Sequence, residues 1–185
     1  MIFTACSDGR MQLGGREVAC ALGRTGVIAA SDKREGDGAT PLGAWRLRRV
    51  LYRADWVGAP VTALPCAAIA RDDGWCDAPY DRAYNRQVRL PYPASHERMW
   101  REDRLYDLVC VLGHNDDPPV PGLGSAIFLH VARPDYGPTE GCVALARADL
   151  QGLLAMAGAG DLLRVAQAIA PEETSGTHPP SPPDR

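Results

Sequence analysis

The chain has no apolar run of 18 or more residues, which leaves no helical membrane span. It has no C-x-x-C pair: its six cysteines, at positions 6, 20, 66, 76, 110 and 142, are scattered, and this argues against a zinc knuckle. It has no excess of positive charge. Twenty Lys and Arg against 23 Asp and Glu leave a formal charge of −3, so nucleic acid is not an expected partner. Aromatic residues are few, with 2 Phe, 6 Tyr and 4 Trp. Residues 1–10 lack a basic stretch followed by an apolar one, so no secretory signal is read there. The cytoplasm, and export with the signal already removed, both stay open. A phosphate-binding loop is also missing. Lys33 precedes the glycines of residues 35–43, and no Gly-Lys-Ser/Thr follows, so this segment reads as a structural turn packed beneath a site.

What is present describes a globular protein. Of 185 residues, 45% are hydrophobic and 23% charged, enough to build one core. We expect a single domain over residues 1–168. Residues 169–185 carry five prolines and almost no apolar side chains, the composition of a disordered tail. With 19 Gly and 16 Pro, turns should be frequent and long helices rare. Cys20, Cys66 and Cys110 lie in apolar runs and read as small buried hydrophobes.

Hydrophobic periodicity gives a mainly β, mainly antiparallel domain with one or two short helices. Residues 11–13 and 17–22 flank Gly14-Gly15 as a hairpin. Residues 44–52 alternate apolar and basic side chains, as a strand with one wet face does. Residues 53–107 show little periodicity; a short helix over His96–Trp100, capped by Ser95, is the one element expected there. Residues 108–113 and 126–131 are short apolar runs bounded by Gly and Pro, hence buried strands. Residues 148–157 form the clear helix, with Leu150, Leu153, Leu154 and Ala157 at a 3.6 period and Gly158 beyond its end. Residues 162–165 read as a last strand.

The chemistry centres on Cys142. Gly141 before it permits close approach of a ligand to the backbone, and a turn there can aim N–H groups at one point. The residue is either a nucleophilic thiol or a structural cysteine opening a core strand. His130 ends an apolar run twelve residues earlier. A strand end, a loop and a returning strand would bring it to Cys142 as a Cys–His dyad; the other reading is a satisfied core histidine. A dyad thiol should alkylate well below pH 8.5. His114, beside Asn115, also ends a strand and either joins the site or caps its own turn. His96 reads as a surface residue. A metal or organic cofactor is not expected.

Three stretches together resemble the L,D-transpeptidase catalytic domain (YkuD-type) family. They are Lys33-Arg-Glu-Gly-Asp-Gly-Ala-Thr-Pro-Leu-Gly43, then Gly74-Trp-Cys-Asp77 with Tyr84-Asn85, then Gly124-Ser-Ala-Ile-Phe-Leu-His130 followed by Thr139-Glu-Gly-Cys142. The resemblance runs from about residue 15 to 167. It implies a β-sandwich or flattened barrel and peptide cross-linking in peptidoglycan through a cysteine thioester. Cys142 would be the nucleophile and His130 the base, oriented by a main-chain oxygen near Val131. Gly141 and the Cys142 N–H would build the oxyanion hole. His114, Asn115, Ser125, Arg133, Tyr136, Thr139 and Glu140 are the candidate substrate-binding residues; Arg133 either pairs with a substrate carboxylate or is an exposed loop arginine, and Glu140 either senses an amine or is a solvated loop residue.

The partners implied are a donor stem peptide and an amine acceptor, in the periplasm or cell envelope. The cross-link would be of 3→3 or 1→3 type, or would join the stem to a lipoprotein. An L,D-carboxypeptidase or cysteine amidase, and a non-catalytic cell-wall-binding module, are the alternatives. The sequence departs from the commoner family signature of Ser/Thr-His-Gly-Cys with Arg or Asn two residues on. It has Thr139-Glu140-Gly141-Cys142, then Val143 and Ala144, and a shorter His–Cys interval.

Overall fold

The computed structural model describes residues 1–168. The expected tail, 169–185, lies outside the described residues. Fourteen strands and one helix follow in chain order. They are β1 (Ile2–Cys6), β2 (Arg10–Leu13), β3 (Arg16–Ala21), β4 (Val27–Ile28), β5 (Thr40–Pro41), β6 (Gly43–Tyr52) and β7 (Cys66–Ala68), then β8 (Asp73–Cys76), β9 (Gln87–Arg89), β10 (His96–Arg98), β11 (Leu108–Leu112), β12 (Phe128–Val131), β13 (Val143–Leu145), α1 (Arg147–Met156) and β14 (Leu162–Ala166).

Nine strands form one sheet in the order β11-β12-β13-β3-β2-β1-β14-β6-β7, and a further pairing of β11 with β6 closes it. β6 makes the closure possible through its length. Residues 43–46 pair with β14, and residues 47–52 pair with β11 across an irregularity at Val111/Leu112. Closure leaves few free edges. Most ladders are antiparallel, but β1–β14, β4–β5, β6–β7 and β12–β13 are parallel. The fold is thus the mainly β, flattened-barrel type expected. Gly14 and Gly15, both at positive φ, turn the β2–β3 hairpin.

α1 buries Leu150, Leu153 and Leu154 in the main core, beside Phe3, Met11, Leu145 and Leu163. Each such leucine contributes roughly 1.5–3 kcal/mol on burial. β11, β12 and β13 are buried at every residue because both faces are covered. Leu108, Cys110 and Leu129 enter the main core, while Val109, Val111 and Phe128 enter a second cluster with Trp75, Met99, Tyr106 and Cys142. A run apolar at every position is what burial on both faces requires.

The cover over that second face is a three-stranded sheet, β10-β8-β9. It comes from the segment whose sequence showed little periodicity. The helix expected over His96–Trp100 is instead strand β10, paired with β8 at His96↔Cys76 and Arg98↔Gly74. Cross-strand pairing and the burial of Met99 outweigh the local helical reading. Arg53, 1% exposed, anchors this segment, with its guanidinium lying 4.1 Å from the Trp56 ring centroid and 3.6 Å from that of Trp100. Cys20 and Cys110 are buried as expected, but Cys66 is exposed because β7 lies at the open end of the sheet order.

Candidate active site

β12 and β13 run parallel, with Leu129 opposite Val143 and His130 opposite Ala144. The connection between them is therefore a crossover, and β13 runs alongside β12 where a returning strand was expected. Extending the register by one residue places Cys142 beside Phe128, and the Phe128 N–H donates to Cys142 Sγ at 3.4 Å. His130 lies two residues along from Phe128, on the same face of the sheet. Cys142 and His130 line one cavity of about 470 Å³ between the barrel wall and the small sheet.

The turn that presents Cys142 is held from three sides. Thr139 Oγ1 donates to the Cys142 carbonyl at 2.7 Å and accepts the Gly141 N–H at 3.1 Å. Thr40 Oγ1 donates to the same carbonyl at 3.3 Å. Gly141 has φ +129°, and a Cβ there would come within 2.8 Å of the Ala39 carbonyl oxygen, so the close approach of residues 33–43 demands glycine. That loop is the structural turn beneath the site which the sequence suggested. Asp37 organises it, accepting the Arg34 N–H at 2.7 Å, the Ala39 N–H at 2.9 Å and the ammonium of Lys33. Burial opposes ionisation of Asp37, but these donors outweigh it and hold the carboxyl below its usual range.

Because Gly141 N–H is engaged by Thr139, the expected pair of oxyanion donors reduces to one free group. The Cys142 N–H has no acceptor among the described residues.

The His130 ring is buried. Nδ1 meets the Val131 carbonyl oxygen at 2.9 Å, and a carbonyl only accepts, so Nδ1 carries the proton and Nε2 is the basic nitrogen. Burial is the main cause that lowers its pKa to about 4, so the imidazole is neutral at pH 7. Tyr106 packs edge-on against this ring, with centroids 5.3 Å apart.

The Cys142 thiol departs from the expectation of an easily ionised dyad. It is 8% exposed and donates to the Ala126 carbonyl at 3.2 Å. Burial, assisted by the nearby Glu97 carboxyl, pushes its pKa up to about 12. The resting thiol is protonated.

The other candidates divide. Ser125, Arg133, Thr139 and Glu140 line the cavity with Gly141's neighbour Cys142. Ser125 Oγ donates to Glu35 at 2.8 Å. Arg133 is exposed, and its side chain has no hydrogen-bond or ion-pair partner among the described residues. Glu140 is paired with Arg24 at 2.9 Å, on the solvent side.

His114, Asn115 and Tyr136 do not line this cavity. His114 Nε2 meets the Leu123 carbonyl at 3.0 Å and its ring packs against Trp45, so it closes its own turn. Asn115, at φ +47°, brackets the same loop by donating to Val120 and Gly124 and accepting the Val120 N–H. Tyr136 lines a neighbouring cavity that shares Leu105 and Arg133 with the first.

Sequence reasoning missed Lys33, Glu35, Asp77, Glu97, Arg101 and Tyr106, all of which line the Cys142 cavity. Glu35 accepts hydroxyl hydrogens from Tyr84 and Ser125. Glu97 Oε1 accepts the Tyr106 hydroxyl at 2.7 Å and Arg101 Nη1 at 3.1 Å. The Lys33–Gly43 stretch, which includes Lys33 and Glu35, and the Gly-Trp-Cys-Asp stretch, which includes Asp77, carried a visible signal; Glu97, Arg101 and Tyr106 carried none. A group of His, Cys, Asp and Glu side chains suited to a metal ion does not occur among the described residues.

A family model described as the L,D-transpeptidase catalytic domain (YkuD) matches residues 2–165. Neither a curated relative nor a solved structure gives a significant match. The matched span contains the barrel up to the last residue of β14, the small sheet, and both Cys142 and His130. The chain therefore belongs to the L,D-transpeptidase catalytic domain family.

Proposed function

We propose that the protein is a peptidoglycan L,D-transpeptidase that works through a thioester on Cys142. The observation that carries this reading is the shared cavity of Cys142 and His130, with Nδ1 of the histidine committed to the Val131 carbonyl and Nε2 left as base. The donor is a stem peptide, cleaved between its third residue, a diamino acid, and D-alanine.

In the first half-reaction the Cys142 sulfur attacks the carbonyl carbon while its proton passes to His130. The Cys142 N–H holds the developing oxyanion; one such donor contributes roughly 3 kcal/mol. The tetrahedral adduct collapses, the carbon–nitrogen bond breaks, and His130 returns the proton to the departing D-alanine amine. In the second half-reaction an acceptor amine attacks the thioester and gives a proton to His130. The new amide leaves, and the proton returns to the sulfur. A 3→3 cross-link results; a 1→3 cross-link forms by the same steps if the donor's first residue supplies the carbonyl. Such a substrate assigns the protein to the periplasm or cell envelope.

Incubation with disaccharide–tetrapeptide muropeptides, followed by intact-protein mass spectrometry, tests this. An acyl adduct on Cys142, absent from Cys142→Ala, together with a dimeric product, is the expected result. An adduct that only hydrolyses identifies a carboxypeptidase. Binding without an adduct identifies a wall-binding module.

A further inference from the structure

Asn85 lies in the loop between β8 and β9 and is only 7% exposed, although its side chain is polar. Every hydrogen-bonding position of its amide is filled. Nδ2 donates to the carbonyls of His114 and Asn115 at 3.1 and 2.7 Å. Oδ1 accepts the Trp75 indole N–H at 2.9 Å and the Ala126 N–H at 3.0 Å. Carbonyls on one side and N–H groups on the other fix which way the amide faces. The side chain thus ties the small sheet to the loop after β11 and to the segment that enters β12.

Ala126 is where this matters. It stands at φ +53°, a conformation in which alanine stays only when its surroundings hold it. Among the described residues its N–H has Asn85 as its one acceptor. Its carbonyl accepts the Cys142 S–H at 3.2 Å, and two residues on the Phe128 N–H donates to the same sulfur at 3.4 Å. A carbonyl and an N–H so spaced along a strand edge are the groups a parallel neighbour's main chain would engage; here the thiol takes both. The thiol has no other acceptor among the described residues, so the direction of its S–H depends on where the Ala126 carbonyl points. Ser125 is bonded to Glu35 and Ile127 is packed in the main core, but neither side chain engages the peptide groups of Ala126.

Resting on the reading of Cys142 as the nucleophile, we infer that Asn85 is a positioning residue: by holding Ala126 in its left-handed conformation it sets the place of the Cys142 sulfur and the acceptor of its hydrogen in the resting protein. Asn85 does not line the Cys142 cavity and does not touch the reacting atoms. It acts through the main chain of Ala126, with the hydrogen bond from that residue's N–H on one side and the bond to its carbonyl on the other.

The S–H stretching band of Cys142 reads this arrangement without substrate. The Raman difference between a protein and its Cys142→Ala counterpart isolates that band from those of the other cysteines. In the native protein it is expected at the lowered frequency of a hydrogen-bonded thiol. Glycine takes the φ of +54° at Asn85 without strain, so Asn85→Gly removes the side chain's bonds and little else. In that variant, with folding checked by circular dichroism, the band should move to the frequency of a free thiol. Its acylation by a disaccharide–tetrapeptide should fall by about tenfold or more. Asn85→Asp keeps an acceptor for Trp75 and Ala126 and gives up the bonds to His114 and Asn115, so it should hold the band at its native position; it is also the variant to read if Asn85→Gly does not fold. A free-thiol band in the native protein, an unmoved band or a native acylation rate in folded Asn85→Gly, or a free-thiol band in Asn85→Asp overturns the role of Asn85. Acylation of the native protein is read separately. Acylation with an unmoved band removes the role of Asn85 and leaves the transpeptidase; bands as expected without any acylation remove the transpeptidase and leave Asn85 as the residue that orients the thiol.

Discussion

Thr139 holds Cys142 in place: its hydroxyl donates to the Cys142 carbonyl at 2.7 Å while accepting the N–H of Gly141, the intervening glycine, at 3.1 Å. One side chain thus fixes both peptide units that flank the Cys142 nitrogen. Thr139→Val keeps the shape and removes both bonds. We expect a stability loss of about 1–2 kcal/mol, and a fall in acylation rate beyond what the unfolded fraction explains. Thr139→Ser should restore both. Urea titration and adduct kinetics measure the two effects; an acylation rate unchanged in Thr139→Val would show that the turn holds itself.

The protonated thiol has a kinetic consequence. With its pKa pushed up to about 12, Cys142 should react slowly with iodoacetamide at pH 7 and faster through pH 10, without a plateau. Exposed Cys66 should be modified first, as peptide mapping can show. A plateau for Cys142 below pH 8 would instead reveal a resting thiolate–imidazolium pair.

His130 makes folding sensitive to acid. In the folded chain it stays neutral down to about pH 4, whereas unfolded histidine takes a proton near its ordinary value of 6.5. Between those values the unfolded state binds more protons, so stability present above pH 6.5 is lost as pH falls toward 4. The loss is about 3 kcal/mol at its full extent. His114 is shifted the same way by burial, so His130→Gln should reduce the slope without abolishing it. Denaturant midpoints at stepped pH provide the measurement. The same variant should lower acylation by about 10²- to 10⁴-fold through loss of the base.

Arg53 is expected to matter more for folding than for chemistry. Its guanidinium is stacked between two indole rings and pairs with Asp55, on the segment that supplies β8 to β10. Arg53→Ala should cost about 2–4 kcal/mol and loosen the small sheet. Amide exchange should accelerate at Trp75 and Met99 before it does in α1. Uniform acceleration across the barrel would mean that the small sheet is no separate unit.

Much of the scaffold was legible because it is locally encoded. The β2–β3 hairpin follows from Gly14-Gly15, α1 from its leucine period, and β11 and β12 from short, largely apolar runs. The small sheet was not legible, since strands of three or four residues show no usable alternation, and His96–Arg98 takes its conformation from β8 across the ladder.

The sequence by itself determined that Cys142 and His130 would be the candidates for chemistry. Residue type and the Gly141-Cys142 step, read together with the family motifs, are local properties of the chain. Only the tertiary structure decided the state of those groups. Phe128, Tyr106 and the small sheet exclude water from the thiol and the imidazole, and desolvation keeps both neutral. The same folding sets Asp77 and Glu97 across the cavity from Cys142 while leaving His114 and Asn115 to close a turn outside it. Spacing along the chain carries no information on water exclusion or on contacts between residues sixty positions apart, because both arise only when the sheets pack.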